Sequence, residues 1–209
     1  MSHSLHRFRK DGCKVPNDYV MITLAAQGLN SQGAENKLRT MYNILRSEDP
    51  VNYGEDNQGG LYSGKTVEEI LENITDRSNP TACFDSIEKV KGVLQKAKEA
   101  DTGMSVVLTG DYDTVFDALD EMGLTPHSVN VSIGYFGNLK ALPPEEILEI
   151  SSMCGHCMVC PDHIEKVIDK VKRGIMTAEA AAKDLAKPCS CSVFNPVRAQ
   201  ELIEKICDR

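Results

Sequence analysis

The chain has 209 residues, of which 41% are hydrophobic and 26% charged, enough for one folded domain or a domain with a small lobe. Its net charge of -8 argues against nucleic acid or an anionic membrane as a partner, because both require clustered lysine and arginine. We find no secretory signal and no apolar run of membrane-spanning length, so we expect a cytoplasmic protein.

The first predicted elements are a strand and a helix. Residues 18–26 form an apolar run of strand length that ends before glycine and asparagine. In residues 34–46, Leu38, Met41 and Leu45 follow the three- and four-residue spacing of one buried helix face. This part of the chain therefore predicts a strand, a turn and a helix.

Helices and strands alternate through the rest of the N-terminal part. Residues 47–64 are polar and rich in glycine, which predicts a loop. The elements expected after it are a helix at 67–74, a strand near 81–84, a helix at 85–100, a strand at 104–110, a helix at 115–123 and a strand at 127–137. Since crossover helices return the chain to the same end of a sheet, the alternation predicts an α/β domain over residues 1–143, with a small, mostly parallel sheet.

Residues 144–209 are predicted to form a helical lobe that carries most of the cysteines. We expect helices at 162–173, 177–186 and 196–207. Thr177 is a good N-cap for the second helix, and Asn195 followed by Pro196 is a good start for the third. The sequence PCSC, with Cys189 and Cys191, therefore falls in a loop between two helices.

One segment fits a nucleotide-binding pattern by its letters alone. Residues 59–66, GGLYSGKT, match GxxxxGK[ST], but a P-loop follows a buried strand, and the preceding residues are polar. Thr66 and Glu69 explain the segment as a capping box at the start of a helix.

Five of the eight cysteines lie between positions 154 and 191. Cys154, Cys157 and Cys160 stand in MCGHCMVCP, where two residues between thiols let the sulfurs converge on one centre from a tight loop. In a reducing compartment such thiols bind metal more often than they form disulfides. Cys189 and Cys191 are available to complete the shell.

The CxxCxxCP string resembles part of the bacterial ferredoxin-type cluster motif, although proline follows the third cysteine directly here. The resemblance implies a [4Fe-4S] cluster bound by Cys154, Cys157 and Cys160, with Cys189 or Cys191 as the fourth ligand. It also implies an iron-sulfur protein with a redox or electron-transfer role in anaerobic metabolism. Its partner would be a redox protein or a small-molecule substrate.

A second resemblance covers the whole chain. The strings MCGH, AKPCSC and FNPVRA are similar to an uncharacterised group of small cysteine-containing proteins of anaerobic microbes. This resemblance implies no activity, and no catalytic residue is assigned. It implies that Cys154, Cys189 and Cys191 matter more than Cys157 or Cys160.

Three alternatives remain open for the same cysteines. Four thiolates would also hold a structural zinc ion, in a protein with an interaction role. A cluster with an open iron site would make the protein an enzyme. The string CGHC is also the dithiol of protein disulfide isomerases, but too little chain follows it for the rest of a thioredoxin domain.

The remaining candidates are one histidine and three isolated cysteines. His156 lies inside the cysteine loop, where it could bind the metal or tune it from the second shell. Cys13, Cys83 and Cys207 stand alone in the sequence, and an isolated cysteine is usually a small buried hydrophobic residue.

Overall fold

The computed structural model describes residues 7–8, 15–156 and 158–208. The strands are β1 (Tyr19–Leu24), β2 (Asn52–Glu55), β3 (Gly59–Gly60), β4 (Pro80–Phe84) and β5 (Ser105–Thr109). The helices are α1 (Glu35–Arg46), α2 (Val67–Glu72), α3 (Ile87–Ala100), α4 (Tyr112–Glu121), α5 (Glu145–Ser151), α6 (Pro161–Lys172), α7 (Ala178–Ala186) and α8 (Pro196–Cys207). Within the described ranges no helix combines the length and the apolar character needed to span a bilayer.

The five strands form one antiparallel sheet in the order β3-β2-β4-β1-β5, so the prediction of a mostly parallel sheet is wrong. The crossover helices do return the chain to the same end: β1 and β2 run in one direction, and β4 and β5 in the other. However, β4 is inserted between β1 and β2, and β1 between β4 and β5. This is the split β-α-β arrangement, in which each crossover spans an antiparallel neighbour.

Two segments differ from their sequence predictions. The predicted loop 47–64 contains the hairpin of β2 and β3. The predicted strand 127–137 forms no strand and is exposed along its length, with the Ile133 side chain 84% accessible. Alternating apolar residues favour a strand only where a neighbouring strand accepts their backbone hydrogen bonds, and the described sheet ends at β5.

The two faces of the sheet are covered by different parts of the chain. Tyr19, Met21 and Phe84 point to one face, where they pack with residues of α1, α3 and α4. Val20 and Ile22 point to the other face and share a hydrophobic cluster with α5, α6, α7 and α8. This cluster contains residues from both sides of residue 143. The predicted division into two domains at that residue stays a prediction.

A buried ion-pair network ties the start of β1 to the loop before α8. Asp18 is completely buried, and its carboxylate contacts the guanidinium groups of Arg7 at 2.5 Å and Arg198 at 2.8 Å. Asn195 donates a hydrogen bond to the same carboxylate, and Arg7 donates to the carbonyl oxygen of Val193. The network fixes residues 193–198 against the second face of the sheet.

Candidate functional site

Three of the five predicted site cysteines come together in a buried cluster, here called the cysteine trio: Cys154, Cys189 and Cys191. Their exposed fractions are 1%, 2% and 0%. The Sγ atoms of Cys189 and Cys191 are 3.6 Å apart, and Cys154 belongs to the same buried cluster and interacts electrostatically with both. The fold thus brings the loop after α5 onto the loop between α7 and α8.

Turns at the ends of two helices position the trio. Cys154 lies in the turn just after α5, and its N–H donates to the carbonyl oxygen of Ser151 at 3.3 Å. After α7, Cys189 N–H donates to the Ala186 carbonyl at 3.1 Å, and Ser192 N–H donates to the Cys189 carbonyl at 3.0 Å. Ser192 has a φ of 57°, the left-handed conformation that tightens this second turn.

The turn that carries Cys189 and Cys191 lies directly on the sheet. Thr81 of β4 donates its hydroxyl hydrogen to the carbonyl oxygen of Cys191 at 2.7 Å. Asn52 of β2 donates its amide hydrogen to the carbonyl oxygen of Phe194 at 2.9 Å. Both side chains are buried, so these hydrogen bonds hold the turn at a defined height above the strands.

Two glycines of the β2–β3 hairpin make room for the turn. A methyl group on Gly54 would lie 2.4 Å from the Oγ atom of Ser192, and one on Gly60 would lie 2.3 Å from the same atom. Such separations are far below van der Waals contact. The Ser192 hydroxyl can rotate away, but the same methyl group on Gly60 would lie 2.0 Å from the carbonyl oxygen of Tyr53, so the hairpin itself requires glycine there.

Negative charge in the trio is favoured on Cys154. Hydrogen bonds from the thiols of Cys189 and Cys191, together with the backbone N–H groups of Met158 and His156, lower the pKa of Cys154 to about 2. The hydrogen bond to Cys154 raises the pKa of Cys189 and raises that of Cys191 to about 11. These opposite directions favour negative charge on Cys154 over Cys189 and Cys191.

The solvent side of the trio is formed by the loop after Cys154. The imidazole Nδ1 of His156 lies 3.5 Å from the Sγ atom of Cys191, and His156 is exposed. Met158 is 48% accessible, and its sulfur accepts a hydrogen bond from the Ser190 hydroxyl at 3.8 Å. The buried sulfurs thus lie just below a surface that carries an imidazole, a thioether and a hydroxyl.

The other cysteines are placed differently. Cys160 is exposed at the start of α6, and no hydrogen bond among the described residues joins it to the trio. Cys157, the fifth predicted ligand, lies outside the described residues, as does Cys13. Cys83 is buried on β4, where burial raises its pKa to about 12, and Cys207 is half-buried on α8.

Sequence reasoning missed the residues that support the trio. Thr81, Asn52, Gly54 and Arg7 are far from the cysteines along the chain, and none belongs to a motif with them. Their roles depend on the antiparallel order of the sheet, which brings β2 and β4 under the turn.

In the conformation described, no group of three or more histidine, cysteine, aspartate or glutamate side chains among the described residues could hold a metal ion. The sulfurs of Cys189 and Cys191 are instead joined by a hydrogen bond. Comparison of the chain with protein-family models, with curated proteins and with solved structures gives no match.

Proposed function

We propose that the cysteine trio and His156 bind one thiophilic metal ion of the zinc class, and that this ion fastens the C-terminal helices to the sheet. Two donor separations carry the proposal, which requires the side chains to rearrange around the ion, since in the conformation described no group of three of them could hold one. In a tetrahedral zinc site, two sulfurs lie roughly 3.8 Å apart, and a sulfur and an imidazole nitrogen roughly 3.5 Å apart. The separations are 3.6 Å between Cys189 and Cys191 and 3.5 Å between Cys191 and His156.

Backbone hydrogen bonds to sulfur give the proposal a second support. The backbone N–H groups of Met158 and His156 act to lower the pKa of Cys154, and the N–H group of Val193 acts to lower the pKa of Cys191. Such bonds stabilise thiolate, which is the form of cysteine that binds metal. On metal binding the thiols release their protons, and the hydrogen bonds between sulfurs are replaced by bonds to the ion.

A single ion agrees better with the spacing than a cubane cluster does. The ligands of a [4Fe-4S] cluster bind different irons, so their sulfurs lie further apart than sulfurs that share one ion. Cys160, which the ferredoxin-type motif requires, is exposed and not joined to the trio. The cluster predicted from the sequence therefore has less support than the zinc alternative.

The ion would act on the stability of the fold. Its ligands would connect the end of α5 with the turn before α8, and Thr81 holds that turn on β4. Since a metal site is assembled only in the folded chain, its binding free energy adds to the free energy of unfolding. We therefore expect the metal-free protein to be less stable and its C-terminal helices to be the part most affected.

Zinc titration of reduced, metal-free protein, in competition with a chromophoric chelator and without oxygen, tests the proposal. We expect one ion per chain, and Cys191→Ser to weaken zinc binding by at least about 100-fold, since one of the sulfurs that would bind the ion is removed. Cys160→Ser is the matched control and should bind zinc like the wild type. The spectrum of the cobalt-substituted wild type reports thiolate ligation without any substitution.

Three results would contradict the proposal. One is a wild-type protein that binds no zinc or cobalt. Another is Cys160→Ser weakening zinc binding as much as Cys191→Ser does. The third is a brown protein that takes up iron and sulfide in the ratio of a [4Fe-4S] cluster and excludes zinc, which would restore the prediction from the sequence.

A further inference from the structure

Two cysteine thiols lie in contact within one tight turn. The Sγ atoms of Cys189 and Cys191 are 3.6 Å apart, and both residues are buried. The N–H group of Ser192 donates to the carbonyl oxygen of Cys189 at 3.0 Å, so the two cysteines are the first and third residues of a closed turn. The sulfurs of a disulfide are about 2.05 Å apart, so this pair needs to close by only about 1.5 Å.

We propose that Cys189 and Cys191 form a reversible intramolecular disulfide, and that the oxidant is a small-molecule disulfide. The inference goes beyond the proposed metal site, because the bond joins two side chains of this chain and needs no ion. The turn before α8 is then a modification site.

The backbone of the turn permits this bond. The Cα atoms of residues two positions apart lie within about 7 Å of each other even in an extended chain, and a turn brings them closer. Most disulfides join Cα atoms about 4.4–6.8 Å apart. The Thr81 hydroxyl holds the carbonyl oxygen of Cys191 at 2.7 Å, so rotation of the two side chains, and not movement of the turn, closes the gap between the sulfurs.

The oxidant reaches the pair past the loop that carries His156 and Met158. His156 is exposed, and its Nδ1 atom lies 3.5 Å from the Sγ atom of Cys191. Met158 is also exposed, and its sulfur accepts a hydrogen bond from the hydroxyl of Ser190, the residue between the two cysteines. These side chains must be displaced before an oxidant touches the sulfurs. The oxidant must therefore be small, and the pair should react more slowly than an exposed thiol.

The reaction is a thiol–disulfide exchange in two steps. The thiolate of one cysteine attacks a sulfur of the oxidant, the S–S bond of the oxidant breaks, and the first small thiolate leaves. The second cysteine then attacks the mixed disulfide, the S–S bond of the protein forms, and the second small thiolate leaves. Two electrons pass from the cysteine pair to the oxidant, and the two thiol protons end on the two released thiols.

The disulfide and the proposed ion exclude each other. Metal binds the thiolate form of cysteine, and a disulfide has no thiolate. Oxidation would therefore withdraw two of the proposed donors at once. This consequence rests on the proposed function, whereas the disulfide itself does not.

Mass spectrometry of tryptic peptides tests the inference on the full-length, metal-free chain, equilibrated without oxygen in mixtures of 2-mercaptoethanol and its disulfide. Trypsin releases residues 184–198, which contain Cys189 and Cys191 and no other cysteine. The neighbouring cysteines lie in a separate peptide, residues 141–166. After alkylation of all remaining thiols, we expect peptide 184–198 to lose both alkyl groups and two hydrogens as the share of the disulfide reagent rises. Excess 2-mercaptoethanol should restore the doubly alkylated peptide.

Three variants control the test. Cys189→Ser and Cys191→Ser each leave one thiol in peptide 184–198, which should be found alkylated or as a mixed disulfide with 2-mercaptoethanol. Cys160→Ser removes an exposed thiol outside the turn, so it should form the disulfide at the same reagent ratio as the wild type.

Two results would overturn the inference. One is a wild-type peptide 184–198 that keeps two alkylatable thiols at a reagent ratio that fully converts Cys160 to a mixed disulfide. The other is a cross-link between peptides 184–198 and 141–166 in place of the disulfide within the turn. A chain that binds zinc but forms no disulfide would overturn this inference alone, and a chain that forms the disulfide but binds no zinc would overturn only the proposed function.

Discussion

The two faces of the sheet are built from alternate residues of the same strands, yet they do different things. On one face, Tyr19, Met21 and Phe84 pack with apolar residues of α1, α3 and α4. On the other, Thr81 hydrogen bonds to the turn that carries two cysteines of the trio, and Asp18, just before β1, anchors two arginines. Strands β1 and β4 thus contribute packing on one side of the sheet and position a site on the other. Stability and metal binding should therefore be separable by substitution.

The largest expected effect is that of Asp18→Ala on the site-bearing face. The substitution leaves Arg7 and Arg198 buried without their shared carboxylate, and we expect a loss of about 3–5 kcal/mol in the free energy of unfolding. Because Arg7 holds Val193 beside the trio, zinc affinity should fall as well. Urea unfolding and chelator competition measure the two effects.

Met21→Ala on the opposite face is the matched control. Removing this fully buried side chain should cost about 2–5 kcal/mol through lost burial and a cavity. Zinc affinity should nevertheless stay at the wild-type value under conditions where circular dichroism shows the variant to be folded. If Met21→Ala weakens zinc binding as much as Asp18→Ala does, the two faces are not separable.

A smaller effect is expected for Thr81→Val, which keeps the shape of the side chain and removes its hydroxyl. The carbonyl oxygen of Cys191 then loses its buried partner, which should cost about 1–3 kcal/mol. Zinc should bind more weakly, because the turn is less firmly held. A variant with the stability and the zinc affinity of the wild type would show that this hydrogen bond does not position the turn.

The smallest expected effect is on the pH dependence of stability, through Glu55 of the β2–β3 hairpin. Burial raises the pKa of Glu55 to about 6, so the folded state binds a proton more readily than the unfolded state does. The contribution of Glu55 to stability should therefore increase as the pH falls from 7 towards 5 and be lost again as the pH rises through 6. Because glutamine does not titrate, Glu55→Gln should gain less free energy of unfolding than the wild type when the pH falls from 7 to 5. Urea unfolding at the two pH values measures this difference. An identical pH dependence in both proteins would contradict this assignment.

Local signals predicted the elements well because their causes are local. The capping box of Thr66 and Glu69 is present, with Thr66 N–H donating to the Glu69 carboxylate at 2.9 Å and Glu69 N–H donating to Thr66 at 3.1 Å. Thr177 and Asn195 also cap their helices as predicted. Each of these interactions joins residues only three positions apart, so the sequence alone is sufficient.

The predictions of parallel strand pairing and of a strand at 127–137 were wrong, because both depend on contacts that sequence spacing does not encode. The packing of the whole sheet decides that β4 pairs with both β1 and β2 and so lies between them. Cysteine spacing favoured Cys160 as a ligand; the fold places it on the surface at the N-terminus of α6, and its role as a ligand stays a prediction. The resemblance inferred from MCGH and AKPCSC stays a prediction; it gave more weight to Cys154, Cys189 and Cys191, and the fold brings these three cysteines together.

The ion pairs of Asp18 have a consequence for the order of folding. Asp18 and Arg198 are 180 positions apart in the chain, so their contact is among the slowest to form, whereas Arg7 lies only 11 positions from Asp18. During synthesis, the strands β1 to β5 can pair before residues 189–198 have left the ribosome. The nascent sheet must then keep one face uncovered for that interval, with Asp18 paired to Arg7 but not yet to Arg198. Loading of metal would follow as a late event, after the last turn has docked, and the cell would have to keep these thiols reduced until then.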